Sequence, residues 1–115
     1  MLKLLLTAAE VADIKTDRHR KAFLGAVAIR RDGVLVYSRN SSLQDPDKKF
    51  PHAHAERRLM RKSGYGATVY VSRVLRDGHL ALAKPCGYCM AALRAYGVEM
   101  VYYTISDTQW EGCKP

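Results

Sequence analysis

Two short segments of the chain carry residues that could bind a metal ion. Cys86 and Cys89 form a Cys-x-x-Cys spacing directly after Pro85, and His54 stands two residues before Glu56. Thiolate and imidazole groups are preferred ligands of zinc in proteins. The sequence therefore predicts one Zn²⁺ ion held by His54, Cys86 and Cys89.

Each of these segments falls where a helix is predicted to begin. Because Cys86 and Cys89 are three residues apart, their side chains leave the same face of a helix and can reach one ion. His54 can supply the third ligand if the two helices lie side by side on a sheet. The prediction thus requires two neighbouring helix N-termini at one place in the fold.

A set of three protein ligands leaves a fourth position for water, which is typical of catalytic rather than structural zinc sites. Zinc lowers the pKa of bound water from about 16 to about 7. Glu56 is not needed as a ligand, so its carboxylate can accept a proton from that water, pass it to a ring nitrogen and later protonate departing ammonia. This is the chemistry of hydrolytic deamination.

Cys86 and Cys89 also allow two alternatives to a catalytic zinc site. One is a closed structural zinc site with a fourth ligand from His52, His79 or Cys113, and the other is a redox Cys-x-x-Cys motif. The redox alternative leaves the His-Ala-Glu segment unexplained. Three cysteines cannot all pair, and they lack the density of a small secreted disulfide scaffold, so metal binding is favoured.

The elements that must position these residues alternate between helices and strands. The patterns predict helices over 2–14, 54–62 and 85–96, strands over 23–29, 34–37, 67–75 and 98–105, a loop over 40–51 and an irregular last ten residues. An Asp-Gly pair joins the first two strands as a hairpin. This order predicts an α/β fold with helices packed on a mixed sheet, in one domain over 1–115.

Composition and charge limit the classes of partner. The apolar run near the start is interrupted by Lys3, Glu10 and Asp13 and is too short for a membrane span or a signal peptide, which predicts a soluble cytoplasmic protein without a membrane partner. The formal net charge is +8. That excess fits a phosphate-bearing partner or a solvated surface, and does not choose between a nucleotide and a nucleic acid.

The His-x-Glu and Pro-Cys-x-x-Cys pair, followed over residues 23–105, resembles the zinc-dependent cytidine and deoxycytidylate deaminase superfamily. The resemblance implies a three-layer α/β/α fold with a mixed β-sheet. It also implies that His54, Cys86 and Cys89 ligate Zn²⁺ and that Glu56 is the catalytic residue that moves protons. The backbone of Ala55 and of Cys86 is implied to contact the base.

Two further residues are candidates for substrate binding. Asn40 follows the second hairpin strand, where the resemblance implies a sugar-contacting asparagine, and its alternative is an ordinary turn former. Tyr88 could stack on a base or pack in the core, and Trp110 leaves the same two alternatives.

The resemblance implies deamination of cytosine to uracil in a (deoxy)cytidine nucleoside or nucleotide, a step of nucleotide metabolism. One alternative is nucleic acid editing, with cytosine in single-stranded DNA or RNA as the substrate. Another is adenosine in tRNA, for which relatives show Glu before Pro-Cys where Lys84 stands here. A non-catalytic zinc-binding protein of the same fold is a third, against which the intact Glu56 argues.

The end of the sequence departs from most members of the superfamily. They continue past the strand at 98–105 with a further helix and a fifth strand, whereas ten residues follow here. We therefore expect an exposed sheet edge that a second subunit would cover, and hence a homo-oligomer.

Overall fold

Two helices and six strands make up the described part of the chain. The structure is a computed structural model that describes residues 2–12, 22–39, 65–75 and 77–115. Its elements in chain order are α1 (Leu2–Val11), β1 (Ala22–Ile29), β2 (Leu35–Arg39), β3 (Thr68–Leu75), β4 (Leu80–Ala81), α2 (Gly87–Ala95), β5 (Met100–Thr104) and β6 (Trp110–Cys113).

The strands form one mixed sheet in the order β2-β1-β3-β5-β6, and the short β4 pairs with the end of β3. β1 is antiparallel to both β2 and β3, whereas β3 and β5 are parallel. β2, β3 and β5 therefore run in the same direction and end at the same edge of the sheet. We call this the carboxyl edge, marked by Arg39, Leu75 and Thr104.

The helices cover opposite faces of the sheet. The core on one face joins Leu93 of α2 to Val69 and Val71 of β3 and Val101 of β5. On the other face, the Ser72 hydroxyl of β3 donates a hydrogen bond to the Leu5 carbonyl of α1. The expected three-layer α/β/α architecture with a mixed sheet is confirmed.

Neither helix is long and apolar enough to cross a membrane, as far as residues 2–12, 22–39, 65–75 and 77–115 are concerned.

The backbone of α1 lies almost directly on β1. A Cβ atom added to Gly25 would lie 1.9 Å from the Ala8 carbonyl oxygen and 2.8 Å from the Ala12 amide nitrogen. Ser72 reinforces the contact, because its Oγ lies 2.5 Å from the Leu5 carbonyl oxygen. The small side chains of Ala8 and Ala12 are buried at this contact. α1 can pack this closely because Gly25 has no side chain.

Most of the predicted elements are present with shifted ends. The hairpin turns at Gly33, whose φ of +88° suits glycine, and the Arg30 amide donates to the Val34 carbonyl at 2.8 Å. α2 is shorter than the predicted 85–96, because Cys86 caps it and Gly97, at φ +77°, follows its end. The predicted loop over 40–51 and helix over 54–62 lie outside the described residues.

The expectation of an irregular end to the chain is wrong. Trp110–Cys113 forms β6, which pairs antiparallel with β5 over Val101–Thr104. Gly112 makes this pairing possible because the Tyr102 ring lies over it, with a Cε1 atom 2.4 Å from where a Cβ would stand. Trp110 then packs edge-on against Tyr102, with ring centroids 6.2 Å apart, which favours its packing alternative.

The pairing of β6 corrects a second expectation. The edge of β5 that we expected to lie open is covered by the chain's own β6. The edge of the sheet therefore lies at β6 and not at β5, and self-association stays a prediction. Cys113 carries a free thiol and is half-buried within β6.

We predict that Gly25→Ala destabilises the protein by about 3 kcal/mol, since the added methyl group overlaps backbone atoms of α1 that cannot rotate away. The measurement is the free energy of unfolding in urea. Gly33→Ala is the matched control, because its Cβ would meet nothing within 4 Å and only the positive φ opposes it, at about 1–2 kcal/mol. Equal losses in the two variants would contradict the close approach of α1.

Candidate active site

The path of the chain after β3 brings Cys86 to the carboxyl edge. From β3 the chain turns at Gly78, runs back as β4, and then passes the end of β5, where the Ala83 amide donates to the Thr104 carbonyl at 2.9 Å. Three residues later it reaches Cys86, which begins α2. The Cys-x-x-Cys motif therefore lies where the parallel strands end, the usual place for ligand binding in α/β sheets.

The two cysteines share the first turn of α2. Cys86 is the N-cap in extended backbone conformation, and its Sγ accepts a hydrogen bond from the Cys89 amide at 3.4 Å. Cys86 is exposed, whereas the Cys89 side chain is 1% exposed. One thiol thus faces the surrounding solvent and the other lies in the protein interior, both within one helical turn.

The other predicted site residues are not part of this geometry. His54, Ala55, Glu56 and Asn40 lie outside the described residues. Tyr88 lies in α2 between the two cysteines, and only its backbone is described. Across the four described ranges, no group of three or more His, Cys, Asp and Glu residues is placed to hold a metal ion. The convergence of His54 with Cys86 and Cys89 stays a prediction.

Two candidates for a fourth zinc ligand, Cys113 and His79, lie away from the two cysteines or have another partner. Cys113 pairs with Val101, three residues before the end of β5, which places it about 10 Å along the strand from the carboxyl edge. His79 Nδ1 lies 2.6 Å from Asp107 Oδ2, and the histidine side chain is 66% exposed. Neither position favours a closed structural zinc site, and the third candidate, His52, is outside the described residues.

Thr104 organises the carboxyl edge in a way that the sequence did not indicate. Its hydroxyl donates to the Ala81 carbonyl at 2.8 Å and accepts from the Arg73 amide at 3.3 Å. The buried Thr104 side chain therefore links β3, β4 and β5 where the chain departs for α2. A threonine at the end of an apolar strand carries no sequence signal that separates this role from ordinary β propensity.

A charged pair joins two turns at the same edge. Besides its contact with His79, the Asp107 carboxylate accepts a hydrogen bond from the Leu80 amide at 2.6 Å. The His79 pKa is raised from its ordinary value of 6.5, mainly by the hydrogen bond to Asp107 and by the negative charges of Asp107 and Asp77. The Asp107 pKa is lowered, first by the Leu80 amide and then by His79. The pair ties the turn between β5 and β6 to the turn between β3 and β4.

Comparison with known proteins defines the class. The sequence model of the cytidine and deoxycytidylate deaminase zinc-binding region matches residues 1–105. The chain belongs to this family and is a hydrolytic deaminase, an enzyme that breaks C–N bonds. A search of curated protein sequences found no match.

Solved structures of cytidine deaminases share the fold. The enzyme from Burkholderia pseudomallei is similar with a TM-score of 0.67 and 16% identity, over 98% of this chain and 91% of that one. The Mycobacterium leprae enzyme gives a TM-score of 0.61 and 17% identity, over 96% and 90%. The Mycobacterium tuberculosis enzyme gives 0.60 and 20%, over 90% and 82%. At these identities the similarity is one of fold.

We predict that the link between His79 and Asp107 makes stability depend on pH. Because the folded pKa of His79 is raised, its contribution is complete below 6.5 and is lost as pH rises through the folded pKa. Asp107, with a lowered folded pKa, contributes above 3.8 and loses this as pH falls through the folded pKa. The contribution is therefore largest between these two ordinary values.

The measurement is the difference in melting temperature between the wild type and Asp107→Asn, followed from about pH 5.5 to 8.5. This difference should shrink as pH rises. Asp32→Asn is the matched control, because Asp32 pairs with Arg30 at 3.2 Å and arginine keeps its charge throughout. A difference for Asp107→Asn that is as constant with pH as that for Asp32→Asn would contradict the charged link.

Proposed function

We propose that this chain catalyses the zinc-dependent hydrolytic deamination of cytosine to uracil in a (deoxy)cytidine nucleoside or nucleotide. The observation that carries the proposal is the position of Cys86 and Cys89 in the first turn of α2, at the carboxyl edge of a sheet with the fold of this family. The cytidine deaminases of similar fold support cytosine as the base.

The donor set fits zinc. Cys86 and Cys89 offer two sulfur atoms within one helical turn, and sulfur with a histidine nitrogen makes a zinc site with one position left for a reactant. The residues that would hold the ion are His54, Cys86 and Cys89. When bound, zinc polarises water so that a nucleophile is available near neutral pH.

The chain's own residues supply the remaining steps in this proposal. The Glu56 carboxylate accepts a proton from water and carries it to the ring nitrogen of the base while the water oxygen bonds to the ring carbon. It then moves the proton of the new hydroxyl group to the amino group, which leaves as ammonia when the C–N bond breaks. The backbone of Ala55 holds the base, and Asn40 and Tyr88 contact the sugar and the base. Glu56 is the catalytic residue because its proton movements accompany both the attack on the ring and the loss of the amino group.

A second candidate substrate is cytosine in a single-stranded nucleic acid. The net charge of +8 is compatible with this substrate as well as with a nucleotide, because lysine and arginine attract phosphate groups in both. Binding to a strand should weaken steeply with salt as counterions are released from several phosphates, whereas turnover of a mononucleotide should depend less on salt.

We predict that Cys86→Ser and Cys89→Ser each lose most of the bound zinc, because a serine hydroxyl is a much poorer zinc ligand than a thiolate. The measurement is zinc per chain by elemental analysis after dialysis. Cys113→Ser is the matched control, since Cys113 lies in β6 away from the carboxyl edge, and it should keep one zinc per chain. Full zinc content in the Cys86 and Cys89 variants would contradict their role as ligands.

We predict that Glu56→Ala keeps one zinc per chain but releases ammonia from cytosine substrates at least about 100-fold more slowly, as expected for loss of the group that moves protons. An enzyme-coupled ammonia assay measures this. Glu99→Ala removes an exposed carboxylate from the segment between α2 and β5 and should keep full activity. Unchanged ammonia release by Glu56→Ala would remove Glu56 from the mechanism.

A further inference from the structure

The segment between β3 and α2 is held in place by Thr104 and Asp107. The Leu80 amide donates a hydrogen bond to the Asp107 carboxylate at 2.6 Å. The Ala81 carbonyl accepts one from the Thr104 hydroxyl at 2.8 Å. The Ala83 amide donates one to the Thr104 carbonyl at 2.9 Å. The chain is therefore fixed at each of these positions before it reaches the cysteines, and Thr104 makes the contacts nearest to them.

The Thr104 side chain lies where β4 stops pairing with β3. Arg73 and Ala81 form the last pair of these two strands. The Thr104 hydroxyl also accepts a hydrogen bond from the Arg73 amide at 3.3 Å. Thr104 is 1% exposed, so water does not compete for these contacts. One buried hydroxyl thus determines where the chain leaves β3 and turns toward α2.

The link from Ala83 to the cysteines is short. Lys84 and Pro85 are the only residues between the Ala83 amide and Cys86, and Pro85 is buried. Proline fixes its own φ near about −65° and restricts the residue before it, so the link has few conformations. A displacement of Ala83 is therefore passed on to Cys86, which caps α2, and so to the first turn of the helix.

The two sulfur atoms need this placement if they are to share one ion. The hydrogen bond from the Cys89 amide to the Cys86 sulfur fixes the two cysteines relative to each other, and does not fix α2 on the sheet. Toward its other end, α2 is anchored by Leu93, which is buried in the core with Val101 of β5. At the end that carries the cysteines, the contacts of Thr104 supply an anchor.

We propose that Thr104 is a positioning residue for the metal-binding cysteines, with its hydroxyl and carbonyl holding the start of α2 so that the sulfur atoms of Cys86 and Cys89 meet one ion. This deepens the proposed function, on which it rests for the identity of the ligands. Groups that orient metal ligands typically contribute about 10- to 100-fold to metal affinity. Thr104 acts through the backbone of Ala81 and Ala83 rather than through the ligands themselves, so we expect the lower end of that range.

The first test measures the zinc affinity of Thr104→Val and Thr104→Ser. Valine has the shape of threonine without the hydroxyl, whereas serine keeps the hydroxyl. Zn²⁺ is titrated into the metal-free protein against a chelating dye of known affinity. Thr104→Val should bind Zn²⁺ about 10-fold more weakly than the wild type, and Thr104→Ser should stay within about 3-fold of it. Thr104→Ala is measured alongside them, because it removes the same hydroxyl if the valine variant does not fold.

Ser72→Ala is the matched control for a loss of stability. The Ser72 hydroxyl is buried like that of Thr104 and donates to a backbone carbonyl, but this carbonyl is that of Leu5 in α1 and not on the path to Cys86. Both Ser72→Ala and Thr104→Val should lower the melting temperature, since each leaves a buried carbonyl without its partner. Wild-type zinc affinity in Thr104→Val, equal losses in Thr104→Val and Thr104→Ser, or an equal loss in Ser72→Ala would overturn the proposal.

The second test needs no metal. Alkylation by iodoacetamide is followed by peptide mass spectrometry in the metal-free protein, with Cys113→Ser as the background so that only the two predicted ligands react. Cys86 is exposed and should react readily, whereas the buried Cys89 reacts only when the first turn of α2 opens. Thr104→Val should speed the alkylation of Cys89 at least about 5-fold, and Ser72→Ala should leave it nearly unchanged. An equal rate of Cys89 alkylation in Thr104→Val and the background protein would contradict the anchoring role.

These measurements separate the role of Thr104 from the proposed function. If the wild type binds Zn²⁺ and Thr104→Val binds it more weakly, while no cytosine compound is deaminated, the deaminase function fails and the role of Thr104 stands. If the wild type deaminates cytidine and Thr104→Val matches it in zinc affinity and in Cys89 reactivity, the function stands and the role of Thr104 is overturned.

Discussion

The direction of three strands is the constraint on which the rest of the structure depends. β1 is antiparallel to β2 and β3, and β5 is parallel to β3, so β2, β3 and β5 all end at the carboxyl edge. Every group that we connect with function among the described residues lies at or near this edge. A change of direction in one strand would move its terminal residues to the other end of the sheet, far from Cys86.

The position of the cysteines at that edge depends on the short segment of the chain between β3 and α2. The two-residue β4 pairs antiparallel with the end of β3. The Thr104 hydroxyl donates a hydrogen bond to the Ala81 carbonyl of β4 and accepts one from the Arg73 amide of β3. Cys86 is the N-cap of α2, and its sulfur atom accepts a hydrogen bond from the Cys89 amide. The fold thus places the N-terminus of α2, with its two thiols, at the carboxyl edge of the sheet. Because Cys89 is buried and Cys86 is exposed, the first turn of α2 has one side in the protein interior and one side in contact with solvent.

The sequence predicted much of this because local rules and tertiary structure agree. The Asp32-Gly33 hairpin and the end of α2 before Gly97 follow from turn and cap preferences. The start of α2 does not, because the helix was expected to begin at Pro85 and Cys86 caps it instead. β6 was missed because Trp-Glu-Gly-Cys has weak strand character, and its pairing depends on the distant Tyr102 ring over Gly112. The role of Thr104 was missed for the same reason, since it comes from the register of neighbouring strands and not from spacing in the sequence. The roles of His54 and Glu56 remain predictions from their motif.

In the proposed site, one histidine and two cysteines hold a single zinc ion beside Glu56. X-ray absorption at the zinc edge of the purified protein measures it most directly. The expected zinc coordination is two sulfur neighbours at about 2.3 Å, one histidine nitrogen at about 2.0 Å and one further light atom. Loss of one sulfur from the zinc coordination in Cys89→Ser, with no change in Cys113→Ser, would assign the ligands. A zinc ion with three or four sulfurs, or two histidines, would contradict the open catalytic site.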